Sequence, residues 1–430
     1  MSSLTIEFGE WLGWAANDRV AGPLTLVDKS VETRPRANAA TISARGLLLC
    51  PGFMDIHVHL REPGQSHKET IESGTAAAMA GGFTYVACMP NTVPALDTPD
   101  TVRWVIDRAK NIGHCEGGVV AAITCGRKGD ELTDFAALLA AGAVAFSDDG
   151  VGVERDDVML RAFERAARID ALLIQHCEYK AISAGGVMHQ GAVSQKLGFP
   201  GLDPRSEETM IERDLDLCRR TGGRFHVAHI STARAVELVR RGKAEGLPVT
   251  SEVTPHHLLL TDEACTSGDS NTKMHPPLRS TADVDACRRG LLDGTIDCIA
   301  TDHAPHAADE KAAGFLKAPP GIVGLETAVG LVAKAMIETN LTGWPDVVRW
   351  FTSGPARVLR LPCPTMEPQQ SANLTLIDPT LEWTVDPAGF RSKGRNTPFG
   401  GQRLRGRSVA VVRGNKLAEC FPGALNGRLG

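Results

Sequence analysis

Pro51-Gly52-Phe53-Met54-Asp55-Ile56-His57-Val58-His59-Leu60-Arg61-Glu62-Pro63-Gly64 begins as a short apolar run and ends on turn residues. Gly52–His59 has the length and composition of a buried strand. Side chains at i and i+2 of a strand share a face, so His57 and His59 point together at its C-terminal end. Similar runs follow at Thr84–Met89, Gly118–Thr124, Ala143–Ser147, Ala171–His176, Arg224–His229, Leu247–Thr254 and Ile296–Thr301. Helical patterns lie between them. Ser66-His67-Lys68-Glu69 reads as a capping box for a helix that Gly81-Gly82 ends. Thr98-Pro99 opens the next, Ser231 caps Thr232–Lys243, and Leu325–Glu338 reads as one long helix.

Eight strands with helical crossovers predict a TIM (β/α)8 barrel over residues 51–364. A doubly wound open sheet is the alternative, disfavoured by the run count and by the lack of G-x-G-x-x-G after the first strand. The flanks, 1–50 and 365–430, carry short strand patterns at Leu4–Phe8, Leu24–Val27, Thr41–Leu49, Asn373–Ile377 and Ser408–Val412. Both chain ends are expected to meet in one small β-sandwich domain beside the barrel.

Composition narrows the class. The 430 residues carry 46 Lys+Arg against 51 Asp+Glu, a net charge of −5, which argues against a nucleic-acid binder. Hydrophobic residues at 43% and charged residues at 23% suit a folded domain and exclude global disorder. No apolar stretch approaches the ~20 residues of a membrane span, and the first ten residues show no secretory pattern. Eleven scattered cysteines without a C-x-x-C read as reduced, buried thiols in a cytoplasmic protein.

A barrel's active site lies at the C-terminal ends of its strands. Those ends carry His57 and His59, the pair Asp148-Asp149, His176, His229 and Asp302. A lone His at a strand end is more often a hydrogen-bonded core or loop residue, and an Asp opening a loop is usually a turn or cap residue. The coincidence of all of them on one rim is what carries weight: imidazoles with one or two carboxylates suit Zn2+. A zinc ion with an open position lowers the pKa of bound water to about 7 and polarises a carbonyl oxygen. Asp302 would take that water's proton and return it to a leaving nitrogen, which is hydrolysis of an amide-like C–N bond.

With those residues in view, the sequence resembles the amidohydrolase superfamily in its dihydroorotase form. The agreement runs from the opening motif through Lys68-Glu69, Met89-Pro90-Asn91-Thr92, Phe146–Gly150 and His176-Cys177-Glu178. It continues through His229–Thr232, Thr254–His257, Ala300–His306, Gly324–Thr327, Ser392-Lys393 and Asn396–Phe399, in order over nearly the whole chain. The resemblance is to the long, class I dihydroorotases, which interconvert (S)-dihydroorotate and N-carbamoyl-L-aspartate in pyrimidine (UMP) biosynthesis.

The resemblance implies one or two Zn2+ per chain. His57, His59 and Asp302 would hold the first and His176 and His229 a second, with Asp149 rather than Asp148 as the bridging ligand. In this class the aspartate replaces a carboxylated lysine, and no Lys lies between Lys128 and Lys180. It implies substrate contacts from His59, Arg61, Asn91, His275, His306, Pro320 and Gly321, with Arg61 as a bidentate carboxylate clamp. Two positions depart from the pattern: His275 stands where the family has Asn, and Pro320 where it usually has an aromatic. His256 and His257 are expected to be structural.

Three other readings compete. Hydantoinases and allantoinases share the barrel and H-x-H but carry the strand-four lysine and lack Arg-Glu-Pro-Gly after the ligands. A catalytically inactive dihydroorotase-like subunit supporting aspartate transcarbamoylase would have lost metal ligands, and so would a regulatory relative without metal. The expected partner is the small-molecule substrate; a homodimer and association with aspartate transcarbamoylase are the protein contacts to test, with no nucleic acid or membrane.

Overall fold

The computed structural model describes residues 3–7, 10–11, 24–27, 30–32, 40–363, 372–414 and 416–429. Eight parallel strands form one sheet, β1 (Phe53–Val58), β2 (Phe83–Cys88), β3 (Glu116–Ala121), β4 (Ala143–Phe146), β5 (Leu172–Gln175), β6 (Arg224–Val227), β7 (Val249–Val253) and β8 (Cys298–Ile299), in sequential order. The first and last are joined by two devices. His59 N donates to His303 O at 2.9 Å beside a parallel Val58–His303 bridge. Below it, the buried Asp55 carboxylate accepts from Thr301 N at 3.1 Å and from His57 N at 3.1 Å. The sheet is a (β/α)8 barrel, filled by small side chains such as Ala87, Ala145, Ala228 and Ala300 with Ile56 and Ile174. A larger apolar layer packs between its outer face and the crossover helices.

Seven of the eight strands are shorter than their apolar runs because the ladder stops before the polar residue that ends the run; β2 is instead as long as Thr84–Met89 and begins one residue earlier. β6 ends at Val227 and β8 at Ile299; His229 and Asp302 follow with φ of 32° and 46°. A positive φ takes a non-glycine residue out of the strand region, so the backbone leaves the sheet where these side chains are needed.

Helix starts required correction. The helix Ile71–Gly81 is capped by Thr70, whose hydroxyl accepts from Ser73 N, and not by Ser66. Glu69 is drawn elsewhere: its buried carboxylate accepts from Ser392 Oγ at 2.5 Å and Lys393 N at 3.1 Å. Ser231 gives its hydroxyl to Glu207, and Thr232 caps Ala233–Ala244. The Thr98 cap with Pro99 is as expected, over Pro99–Ile112. The long helix begins at Ala328 and passes into a π-helical turn at Ala333–Ile337.

The chain ends share a sheet. Leu48–Pro51 pairs antiparallel with Asn373–Thr384, which pairs with Arg403–Arg413 and so with Lys416–Glu419, while Glu10–Trp11 lies parallel on the far side. A second sheet orders Ser30–Glu32, Leu24–Val27, Ser3–Glu7 and Ala40–Ser43. The predicted strand Thr41–Leu49 is split by a turn at Arg45-Gly46, Gly46 having φ of 75°. One core, including Ile6, Ile42, Leu49, Leu374, Leu376 and Val412, joins the two sheets as a β-sandwich. Phe8, the far end of one predicted strand, and the boundary near residue 365 lie outside the described residues. No helix among them is long and apolar enough to cross a membrane.

Candidate metal centre and active site

The C-terminal rim of the barrel encloses a cavity of about 360 Å³. His59, Arg61, Asn91, Asp149, His176, His229, His275, Asp302, His306, Pro320 and Gly321 all line it. His57, fully buried, lies beneath.

Asp149 is the hub of the floor. Its Oδ1 is 3.3 Å from His57 Nε2, 3.7 Å from His229 Nε2 and 3.8 Å from His176 Nδ1, and its Oδ2 is 3.6 Å from His59 Nε2. Asp302 Oδ1 lies 2.9 Å from His59 Nε2 and 3.6 Å from His57 Nε2. The neighbouring Asp148 is turned away. It accepts from Ile123 N at 2.9 Å and Thr124 N at 3.0 Å, tying β4's end to β3's.

Burial disfavours every charge here, yet His57, followed by nearby imidazoles, holds the Asp149 and Asp302 carboxyls below the usual carboxylate range. Burial opposes protonation of His57, but Asp149, Glu252 and Asp302 raise it well above an ordinary imidazole. His59 is pushed the other way, by burial and by Arg61.

Two atoms at the hub lack hydrogen-bond partners although buried: His57 Nε2 and Asp149 Oδ1. Unpaired buried polar atoms that face one another mark a place built for an ion. The donors fall into overlapping sets, His57/His59/Asp149, His57/His229/Asp302 and Asp149/His176/His229, each within 4.8 Å. Nitrogen and carboxylate oxygen at this spacing fit a divalent metal centre.

Sequence reading missed two side chains that orient this floor. Glu252, inside the apolar run of β7, accepts from His57 Nδ1 at 2.6 Å, and its other oxygen lies 3.2 Å from His226 Nε2. Burial would raise its carboxyl, but the His57 and His226 imidazoles hold it down at about 2. A carboxylate on the back nitrogen fixes the tautomer that presents Nε2 to the hub. A glutamate in an otherwise apolar strand was its visible signal. Arg127, with φ of 57°, donates from Nη2 to Asp149 O at 2.7 Å; nothing in its local sequence marks it.

The upper wall is also fixed. Arg61, at φ of 60° and buried, donates from Nε to Pro305 O at 3.2 Å. Asn91 Oδ1 accepts from His59 Nδ1 at 2.8 Å, so this amide orients a floor imidazole as well as facing the cavity. His306 Nε2 donates to Pro320 O at 2.9 Å. Asn396 Nδ2 donates to Ala304 O and Gly321 O, each at 2.9 Å, and buried Lys311 donates to Pro319 O at 3.0 Å. His256 and His257 sit outside the cavity lining, His257 bonding Thr254 Oγ1 and Pro276 O.

A relative named dihydroorotase from Pelotomaculum thermopropionicum is 50% identical over 385 residues, 89% of each chain. The chain belongs to the dihydroorotase family. Another member, from Geobacillus thermodenitrificans, is 48% identical over 87% of this chain and 88% of its own. The Dihydro-orotase-like family model matches residues 46–235, from before β1 to past β6. The fold is wider than the family. The L-hydantoinase (dihydropyrimidinase) from Arthrobacter aurescens superposes with a TM-score of 0.85 over 98% of this chain and 97% of its own, at 22% identity. The dihydropyrimidinase from Brevibacillus agri NCHU1002 gives 0.83 over 96% and 94%, at 20% identity. At these identities the likeness is one of fold alone.

Proposed function

We propose that this chain is a zinc-dependent dihydroorotase, a cyclic amide hydrolase that opens (S)-dihydroorotate to N-carbamoyl-L-aspartate and closes it again in pyrimidine biosynthesis. One observation carries the reading: Asp149, Asp302 and four imidazoles meet under a cavity that Arg61 also lines, in a chain half identical to a dihydroorotase. His57, His59 and Asp302 would hold one zinc and His176 and His229 a second, with Asp149 between them. Zinc bound there supplies Lewis acidity, activating water and polarising a carbonyl near neutral pH.

The protein groups supply position and proton transfer. Asp302, kept ionised by His57 and His59, accepts a proton from the attacking water and delivers it to the ring nitrogen as the C–N bond breaks and the C–O bond forms. Ring closure uses the same group in reverse, starting protonated. The Arg61 fork pairs with the substrate carboxylate, Asn91 adds an amide hydrogen bond, and His275, His306, Pro320 and Gly321 shape the ring's surroundings. The parent hydantoin ring has no exocyclic carboxylate, so Arg61 is where the two substrate classes separate. The strand-four end supplies aspartates and no lysine, which also favours dihydroorotate.

The same reading divides the chain into a sandwich of residues 1–50 plus 365–430 and a barrel of 51–364. Eleven unpaired thiols support a reducing, cytoplasmic setting. A homodimer and association with aspartate transcarbamoylase rest on the resemblance and are checked by mass in solution with and without that enzyme. The decisive assay incubates zinc-loaded protein with dihydroorotate, hydantoin and allantoin separately. Turnover of dihydroorotate is expected; faster turnover of either other ring overturns the assignment.

A further inference from the structure

His176 has a second face. Its Nδ1 looks to the floor, 2.9 Å from His229 Nε2, while its Nε2 lies 3.8 Å from Oε2 of Glu178. The same Glu178 oxygen is 2.9 Å from His275 Nε2. The three ligand atoms lie within 4.8 Å of one another, and the 3.8 Å and 2.9 Å separations from Glu178 Oε2 are ones that two bonds of about 2.0–2.2 Å to one ion can span. The two rings are nearly parallel, 15° apart, with centroids separated by 5.2 Å. Glu178 thus sets one carboxylate oxygen between the two imidazoles. The group lines the cavity, with the His275 side chain 27% exposed, so an ion and its completing waters reach it from solvent. Position 275 carries an imidazole and not an amide. An amide there is a poor ligand for a borderline cation, whereas imidazole is a good one.

We propose that His176 Nε2, the Glu178 carboxylate and His275 Nε2 form an additional divalent-metal site on the cavity wall, taking zinc or a similar borderline ion. It touches the floor centre through His176, which would serve both sites with its two nitrogens. Binding at Nε2 sends the proton on that nitrogen to solvent. The shared ring and nearby charge make this the weakest of the uptake steps. Occupancy withdraws Glu178 and His275 from the cavity wall and places a cation beside the substrate, so excess zinc lowers turnover.

The test counts bound metal. Chelator-stripped protein is dialysed against graded free Zn2+ and the bound ion measured for wild type, His275→Asn and Glu178→Gln, with circular dichroism confirming that each is folded. Wild type is expected to take up one equivalent more than His275→Asn. The additional step should weaken in both variants by at least about 10–100-fold, the range seen when even an outer partner of a metal ligand is lost. Equal uptake by wild type and both variants overturns the additional site while leaving the floor centre standing. Failure of all three to bind any zinc tightly overturns the floor centre as well, so the two outcomes are separable.

Discussion

Asp148 and Asp149 are chemically identical neighbours, and the fold gives them opposite surroundings. Asp149 faces four imidazoles; Asp148 holds the backbone of Ile123 and Thr124. Asp149→Ala is therefore expected to lose zinc and activity while staying folded. Asp148→Ala should keep more zinc but melt earlier, since each orphaned buried donor costs about 1–3 kcal/mol. Metal analysis and a thermal melt on both variants check this; greater zinc loss from Asp148→Ala would reverse the choice. Glu252→Gln offers a finer probe, because an amide in place of the carboxylate removes the charge behind His57 Nδ1 at 2.6 Å. Its zinc affinity should fall by about 10–100-fold with the ligands themselves untouched. Arg61 and Asp302 separate binding from chemistry. Arg61→Ala should raise KM by about 10–100-fold, the worth of a charge-assisted pair. Asp302→Asn should lower kcat by at least about 100-fold in both directions, because an amide cannot carry the proton. Steady-state kinetics with both substrates measures the split.

At the scale of elements, the barrel strands work by stopping early. β5, β6 and β8 end at Gln175, Val227 and Ile299, and the side chains that matter follow at His176, His229 and Asp302, the last two on backbone of positive φ. The strand-eight loop is different: it is held by one of its own side chains and by groups from two other segments. Lys311 holds Pro319 O at 3.0 Å, Asn396 holds Gly321 O, and Gly321 N donates to Lys273 O at 2.9 Å. Burial, followed by the nearby Lys273, lowers the Lys311 ammonium from 10.5 to about 8. The folded state thus releases this proton before the unfolded state does. The charge burdens the fold fully below pH 8, and the burden lifts as pH rises through 8 towards 10.5, so its contribution to stability increases across that window. The gain is at most about 3 kcal/mol. Lys311→Met should flatten the rise and, by loosening Pro319–Gly321, raise KM with little change in kcat. Denaturant melts of both proteins between pH 7 and about 10 check the first; an unchanged slope would remove Lys311 as its source.

Across the whole molecule, the sandwich acts on the site through the first strand and the late loops. Leu48–Pro51 runs from the sandwich sheet directly into β1, and Ser392, beyond the sandwich strand Asn373–Thr384, reaches back to Glu69. Metal removal should be felt globally for the same reason. Stripping leaves the Asp149 and Asp302 carboxylates and the unpaired His57 Nε2 facing one another in a buried space. Chelated protein should melt several degrees lower, and zinc should restore the loss, by about 2.7 kcal/mol at roughly a hundredfold over Kd. A melting temperature indifferent to chelator and zinc would count against a metal centre in these residues.

How much of this was legible follows from what is local. Hydrophobic periodicity is local, so the eight strand runs, the crossover helices and the β patterns of both flanks could be read directly, and the parallel barrel with its sandwich followed. Ligand-type residues at strand ends were visible because a barrel presents all its strand ends on one rim. Helix starts were less secure, because Ser66 and Thr70 both offer a hydroxyl and the partner that draws Glu69 away, Ser392, lies over 300 residues downstream. His275 stood out only against the resemblance, and its meeting with Glu178 could not be read, nor could the reach of Glu252 to His57 or of Arg127 to Asp149. Those contacts join side chains on different strands and loops. Sequence alone determined which ligand-type residues stand at the strand ends; only the closed barrel decided which of their atoms meet, because that depends on distances across the ring and on where the backbone leaves each strand.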